Sequence, residues 1–343
     1  MGSCCEIRRH DKHEFSNERI HFDLFKTDLN LLQNIIKIQR NFRIFKQRKK
    51  NKFIKLVLGS NFIAEIILAM EKISPNERVN EIESNLDKLK IINPLENEDL
   101  EVRKSLITFE NGTKYMGQWN KILNMKEGFG IQLWPDGSKY TGFWKGNQSN
   151  GLGRLIHADG DVYEGNWING KANSFGTYMH YNGAKYIGFW KDDKQDGKGV
   201  ETWIDGAKYE GEYVEGKKEG KGKFIWSDSS SYEGEFINNN INGNGIYCWS
   251  DGRRYEGTWV NNKMNGSGIF SWPDGRIYKG EYVEDKKEGK GEFIWPDGKK
   301  YIGSWYKGKQ HGIGKYFTPN GKSREGEWKN GNRVKWIGLT QQK

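Results

Sequence analysis

A tyrosine followed two residues later by glycine, and four residues later by an aromatic ring, stands at Tyr115, Tyr140, Tyr163, Tyr186, Tyr209, Tyr232, Tyr255, Tyr278 and Tyr301. Arg324 holds the tenth tyrosine position, and from Tyr140 onward the interval is 23 residues every time. The first interval is 25, because "NKILNMKEGFG" carries two extra residues. A fixed period of this length argues against one globular core: each copy is a supersecondary unit that buries its apolar face only against its neighbours.

Within a period the chain reads Y-x-G-x-W, a short polar turn, G-x-G, a run ending near tryptophan, and then P-D-G or S-D-G. Aromatic and β-branched runs bounded by Asn-Gly and Asp-Gly read as strands joined by tight turns, so each copy is expected to be a β-hairpin. Glycine in a strand leaves a gap on the sheet surface, and a ring from the neighbouring strand can lie across it. Gly142, Gly151 and Gly153 are therefore expected to seat Tyr140, Trp144 and their counterparts in adjacent copies. Tyr163, Gly165 and Trp167, and Tyr255, Gly257 and Trp259, have the same structural parts in their own copies. The expected fold is mainly β: an elongated single-layer antiparallel sheet of tandem hairpins, preceded by an α-helical N-terminal region. Two strands per copy at about 4.8 Å each make a ten-copy ribbon ~95 Å long before twist.

These elements resemble MORN repeats, with nine or ten copies from about Phe109 to Trp336. The departures are Ser174 for the first glycine of one G-x-G, Ser229 for the glycine of one Asp-Gly, and Tyr213, Phe236 and Tyr282 for tryptophan. The last copy lacks its G-x-G, which suits a cap. The resemblance implies a non-enzymatic scaffold that binds other proteins, or a second copy of itself, along its faces and ends. Members of the family organise membrane-to-cytoskeleton junctions, radial spokes and cortical structures. A structural subunit of a ciliary axoneme is thus an alternative to membrane tethering, and phosphoinositide binding by the repeats is another. Near balance of Lys against Asp and Glu in the repeats argues against the last, since anionic headgroups need net positive surface.

Outside the repeats the charge is concentrated. Nine lysines and arginines and no acid lie between Leu29 and Ala64, which accounts for +9 of the chain's net +10. Leu31, Ile35, Ile38, Phe42 and Phe45 recur at helical steps, so this stretch is read as a basic amphipathic helix. "IQRNFRIFKQR" resembles an IQ motif, with Ile38, Gln39, Phe42, Arg43, Phe45 and Arg48 at its apolar and basic positions, and this implies calmodulin or an EF-hand light chain as partner. Ile44 stands where glycine is usual and Asn51 where a late hydrophobe is common. An apolar stripe flanked by cations suits a hydrophobic groove with an acidic rim. The same stripe would also suit an anionic membrane or another acidic partner, or packing against the end of the sheet.

"MGSCCEIRR" places Gly2 behind the initiator methionine and Cys4 and Cys5 behind that, resembling dual acylation, although Glu6 stands where Ser or Thr is usual. One myristoyl chain binds marginally and needs a second anchor or a basic patch, and both are present here. "NFIAEIILAMEKIS" and "NERVNEIESNLDKLKII" read as two helices broken near Ser74 and Pro75, the second ending at Asn93 and Pro94, and together capping the first sheet edge. The organisation expected is a tail at 1–28, the IQ-like helix at 29–58, a helical cap at 59–106, the repeat array at 107–338 and a tail at 339–343.

Enzymatic readings fail on spacing. "GKKEGKG" falls one residue short of G-x-x-x-x-G-K, and no Ser or Thr follows Lys221. The six histidines show no metal spacing with the cysteines, and His157 and His180 fill the tryptophan slot of their copies. The acids fall in turns at the repeat spacing, which suits solvated hairpin ends. No catalytic residue, cofactor, metal or nucleic-acid partner is expected. Three cysteines form no disulfide framework, and no apolar run spans a bilayer, so a cytoplasmic protein, at a membrane face or on the cytoskeleton or cilium, is the expectation.

Overall fold

The structure, a computed structural model, describes residues 74–87, 89 and 99–337. Among them are one helix, α1 (Glu77–Asn85), and 21 strands, all in antiparallel ladders. The fold is mainly β, an open sheet of tandem hairpins, as the repeat pattern requires. The described residues fall into two compact units, 74–160 and 161–337.

The first unit contains β1 (Leu100–Thr108), β2 (Lys114–Asn120), β3 (Met125–Leu133), β4 (Lys139–Lys145) and β5 (Gln148–Ile156), each paired with its neighbour in sequence. The two extra residues of the first copy lie in the β2–β3 turn, where the Asn120 carboxamide oxygen accepts from the backbone N–H groups of Ile122 and Leu123. Asn76 caps α1 by accepting from Arg78 N at 3.0 Å, and Val79 is fully buried.

Two expectations for this region change. The second helical piece stops at Asn85, well before Asn93. Leu86 N–H turns back to the carbonyls of Ile82 and Glu83, and the last turn contains Ser84 and Asn85 with no cation to complement its carbonyls. The end of the stretch expected to be a helical cap, residues 100–106, lies in a strand that runs on to Thr108. The open edge of β2 offers a ladder, and the β-branched Val102, Ile107 and Thr108 suit it. β1 takes that edge, and residues 61–73 of the first helical piece expected lie outside the described residues.

The second unit runs from β6 (Val162–Ile168) to β21 (Asn332–Ile337). Its period resolves into fixed pieces. β10 (Lys208–Val214) has seven residues, the Glu215–Gly216 turn two, β11 (Lys217–Ile225) nine and the connection Trp226–Ser230 five. Both turn residues have positive φ, +48° and +82°, as a type I′ hairpin demands. In the connection, the Asp228 carboxylate accepts from Ser230 N–H at 3.0 Å, an Asx turn that most copies repeat.

Hairpins are also stitched to one another. The Asn239 N–H donates to the Lys218 carbonyl at 3.0 Å, while the Asn239 side chain accepts from Lys218 N–H at 2.8 Å. Asp193, Asn262 and Asp285 do the same for Ala172, Ile241 and Met264. An Asn or Asp in the second turn position therefore supports the left-handed backbone and also satisfies the preceding hairpin.

Glycines create the seat for each tyrosine. Gly211 lies directly opposite Gly222, and the Tyr209 ring covers both. A Cβ on Gly211 would fall 2.6 Å from the ring carbon that bears the hydroxyl and 2.7 Å from Gly222 Cα. The hydroxyl crosses this gap and donates to the Glu212 carbonyl at 3.2 Å. The same donation recurs from Tyr140 to Phe143 O, Tyr186 to Phe189 O, Tyr255 to Thr258 O and Tyr301 to Ser304 O, between 3.0 and 3.1 Å. Burial pushes the Tyr186, Tyr209, Tyr255 and Tyr301 phenols up, Tyr301 to about 12, so they remain neutral donors.

The first glycine of each G-x-G serves a different purpose. Gly151 has φ +87° at a bulge between β4 and β5, beside the Phe143 side chain, and so does not seat Trp144 as expected. What it supplies is a left-handed residue, which a Cβ makes costly. Ser174 adopts this conformation at φ +58°, and Ser229 takes its turn at φ +68°, without glycine's freedom.

Candidate interaction surface

The tyrosine face is closed by rings. Tyr209 stands edge-on to Tyr213 of its own copy at 5.3 Å and to Phe236 of the next at 5.2 Å. This zigzag continues through Tyr232–Trp259, Tyr255–Tyr282, Tyr278–Trp305 and Tyr301–Trp328. Each such pair contributes about 0.5–1.5 kcal/mol beyond burial. In the first unit the same row links Tyr115 to Trp144 at 5.6 Å, and Tyr140 to Trp144 at 5.0 Å. Trp144, Trp167 and Trp259 are 4–6% exposed, so these rings form the core and offer nothing to a partner.

A second aromatic row runs along the margin of this face in the second unit. Trp203, Trp226, Trp249, Trp272 and Trp295 are half-buried at one-period intervals. Rings from the intervening strands join them: Trp226 meets Tyr247 at 5.1 Å, Tyr247 meets Trp249 at 4.5 Å, and Trp249 meets Phe270 at 5.2 Å. The row is carried on to Trp336 through Tyr316, at 6.3 Å. Cations lie over it, with Arg253 on Trp249 at 5.3 Å and Arg276 on Trp272 at 5.4 Å.

Three lysines are held inside ring cages, Lys218 among them, over Trp203, Tyr209 and Tyr213. Lys287 Nζ lies 4.8–5.2 Å from the centres of Trp272, Tyr278, Phe293 and Trp305. Burial lowers its pKa to about 8, against which the ring faces favour the charged form. In the first unit Lys126 sits among Phe109, Tyr115 and Trp144, and burial likewise takes it to about 8.

The opposite face differs between the units. In the first, Met116, Phe129, Ile131, Leu133 and Ile156 are at most 5% exposed. Lys139, 2% exposed on this face, donates to Glu83 of α1 at 2.6 Å, and Arg154 donates to the Asp87 carbonyl. In the second unit, Phe189, Ile269, Ile302 and Ile313 are 39–46% exposed among rows of Glu and Lys such as Lys221, Glu235 and Glu233. Near its start, the Asp161 carboxylate accepts from Tyr178 at 2.8 Å and bonds His180 Nδ1 at 2.9 Å, which holds the imidazole in the slot other copies fill with tryptophan.

Tyr140, Gly142, Gly153, Tyr163, Gly165, Tyr255 and Gly257 lie at ring seats, and Trp144, Trp167 and Trp259 in the zipper. The IQ-like residues Ile38, Gln39, Phe42, Arg43, Phe45 and Arg48, and Gly2, Cys4 and Cys5, lie outside the described residues. Sequence reading missed the marginal tryptophan row as a surface, although its period was in view. Among the described residues no group of His, Cys, Asp and Glu is arranged to hold a metal, and no helix is long and apolar enough to cross a membrane.

A sheet of hairpins that differ chiefly in their surface residues defines a repeat protein of the binding class. The MORN repeat family matches ten segments between residues 115 and 334, and the chain belongs to that family. No curated protein matches at a significant level. Among solved structures, the chain is similar to the TCP10 domain of Danio rerio CPAP in complex with a STIL peptide, at 12% identity and TM-score 0.38, over 68% of this chain and 99% of that one. It is also similar to the SAS-4 TCP domain of Drosophila melanogaster, at 13% identity and TM-score 0.28, over 56% and 96%. A Staphylococcus aureus virginiamycin B lyase follows at 13% identity and TM-score 0.15, over 68% and 86%. Likenesses this distant carry no functional argument.

Proposed function

We propose that this chain is a non-enzymatic scaffold that links a membrane or cytoskeletal structure to protein partners through its repeat sheet. The observation that carries this reading is the division of labour within each hairpin. The paired glycines and buried rings stack copy against copy, while the marginal tryptophans stay half-buried and the far face of the second unit varies and is exposed. The basic helix at 29–58 takes calmodulin or an EF-hand light chain, and the acylated N-terminus supplies the membrane contact. Capture of the full chain on immobilised calmodulin, with and without calcium, tests the first part. Changing both Ile38 and Gln39 to Ala is expected to abolish recovery, and unaltered recovery overturns the assignment. Gly2→Ala is expected to move the protein out of the membrane fraction, and no redistribution favours the axonemal alternative.

A further inference from the structure

Two of the repeats are near duplicates that differ at one telling place. "YEGEYVEGKKEGKGKFIW" from Tyr209 and "YKGEYVEDKKEGKGEFIW" from Tyr278 lie three periods apart, and the residue eight positions before each is Glu201 in one and Phe270 in the other. In the first, the Glu201 carboxylate accepts from Tyr213 at 2.9 Å and from Lys218 Nζ at 2.9 Å. In the second, Phe270 removes that acceptor. Among the described residues, Tyr282 Oη is the buried side-chain polar atom left without a partner. Lys287, directly across the strand pair from Tyr282, lies over the rings of Trp272 and Trp305, as Lys218 lies over Trp203 and Tyr209, but has no carboxylate beside it. The residue as a whole keeps partial solvent exposure.

The caged cation lies on the marginal tryptophan row, and the geometry of that row selects a ligand shape. One tryptophan per hairpin repeats every two strands, about 9.6 Å. A polyproline-II helix repeats every three residues, about 9.3 Å. Flat, half-exposed rings at that spacing match the face of such a helix, which is ordered before it binds and exposes no hydrogen-bonded backbone of its own.

We propose that the row Trp203, Trp226, Trp249, Trp272 and Trp295 is a docking track for an extended, polyproline-II segment of a partner protein, running across the strands, and that a carboxylate of that segment pairs with Lys287. The external acid takes the role that Glu201 has toward Lys218 three hairpins earlier. This rests on the scaffold reading and names the chemistry of one partner.

The test uses the full chain and a fluorescent peptide of repeated Pro-Pro-Glu, about fifteen residues and ~46 Å long, enough to follow five tryptophans. Fluorescence anisotropy is expected to show saturable binding, about tenfold weaker for Trp272→Ala and for Lys287→Met. A peptide with Gln for Glu is expected to lose about the same factor on the unaltered protein and to be indifferent to Lys287→Met. Phe270→Glu, which restores an internal carboxylate, is expected to weaken the Glu peptide while the circular dichroism spectrum stays unchanged. No binding by the folded chain, equal affinity for the Glu and Gln peptides, or tighter binding of an acidic helical peptide overturns the proposal. Calmodulin recovery measured on the same samples separates the two readings: failure of the peptide with calmodulin still recovered sinks the track and leaves the scaffold.

Discussion

Each unit contains a ring zipper of the same kind, but the two treat their opposite faces differently. In residues 74–160 that face is sealed over β2–β5, with α1 bonded to it through Lys139 and with Met116, Phe129, Ile131, Leu133 and Ile156 nearly inaccessible. In residues 161–337 the same positions hold exposed Phe189 and Ile302 and alternating Lys and Glu. Stability in a hairpin array therefore does not require both faces to be buried. One face suffices when each ring is seated on paired glycines, and the other is free to diversify.

The sharpest attack on that comparison is to spoil the shared seat in both units. Gly153→Ala in the first and Gly222→Ala in the second each drive a methyl into a tyrosine ring, 2.6 Å and 2.7 Å from its carbons. Overpacking of this kind costs ~3 kcal/mol or more. Urea unfolding is expected to show similar losses for both, and a loss confined to one unit would mean that the zipper is not the common source of stability.

The Lys139–Glu83 pair separates the two units next. Lys139→Met leaves a partly buried Glu83 without its cation and is expected to cost ~2 kcal/mol. Lys223→Met, at an exposed pair with Glu233 on the open face, is expected to cost less than ~0.5 kcal/mol. Equal values in thermal melts would erase the distinction between sealed and open faces.

Lys287 predicts a pH signature for the open unit. Its folded pKa, about 8, lies below the ordinary 10.5, so between these values the unfolded chain binds the proton more tightly and stability rises with pH. The full shift corresponds to ~3 kcal/mol, which cation–π attraction reduces. Lys287→Met is expected to be more stable than the parent at pH 7 by ~1–2 kcal/mol and to lose that advantage by about pH 10.5. A constant difference across that window would show that the cage does not destabilise the charge.

Small gains in stability are expected at the two serines. Ser174→Gly and Ser229→Gly relieve positive φ of +58° and +68° in the second unit, and each is expected to raise stability by ~0.5–1 kcal/mol. A melting temperature that falls in either case would show that the serine side chain supports its turn.

The hairpins, their period and the ring-over-glycine seat were legible in the sequence because each is a local pattern repeated nine or ten times. The role of Gly151 was not, since a bulge glycine and a seating glycine look alike until the register is known. The extent of the helical cap was also hidden. Leu100–Thr108 has little pattern of its own and becomes a strand because β2 presents an unpaired edge. Nor did the duplicated blocks reveal their missing carboxylate, because Glu201 and Phe270 stand outside the eighteen matched residues and meet Lys218 and Tyr282 only through the ladder.

The reciprocal bond between each Asn or Asp turn and the hairpin before it has a mechanical meaning. Along the second unit the strands pair with neighbours in sequence, so tension applied along the chain meets one such stitch at a time. Pulling on the C-terminus is expected to release one hairpin per event, each freeing about 23 residues, ~75 Å of slack at full extension. A sheet built this way is expected to yield in steps under load and to re-form copy by copy when the load is removed.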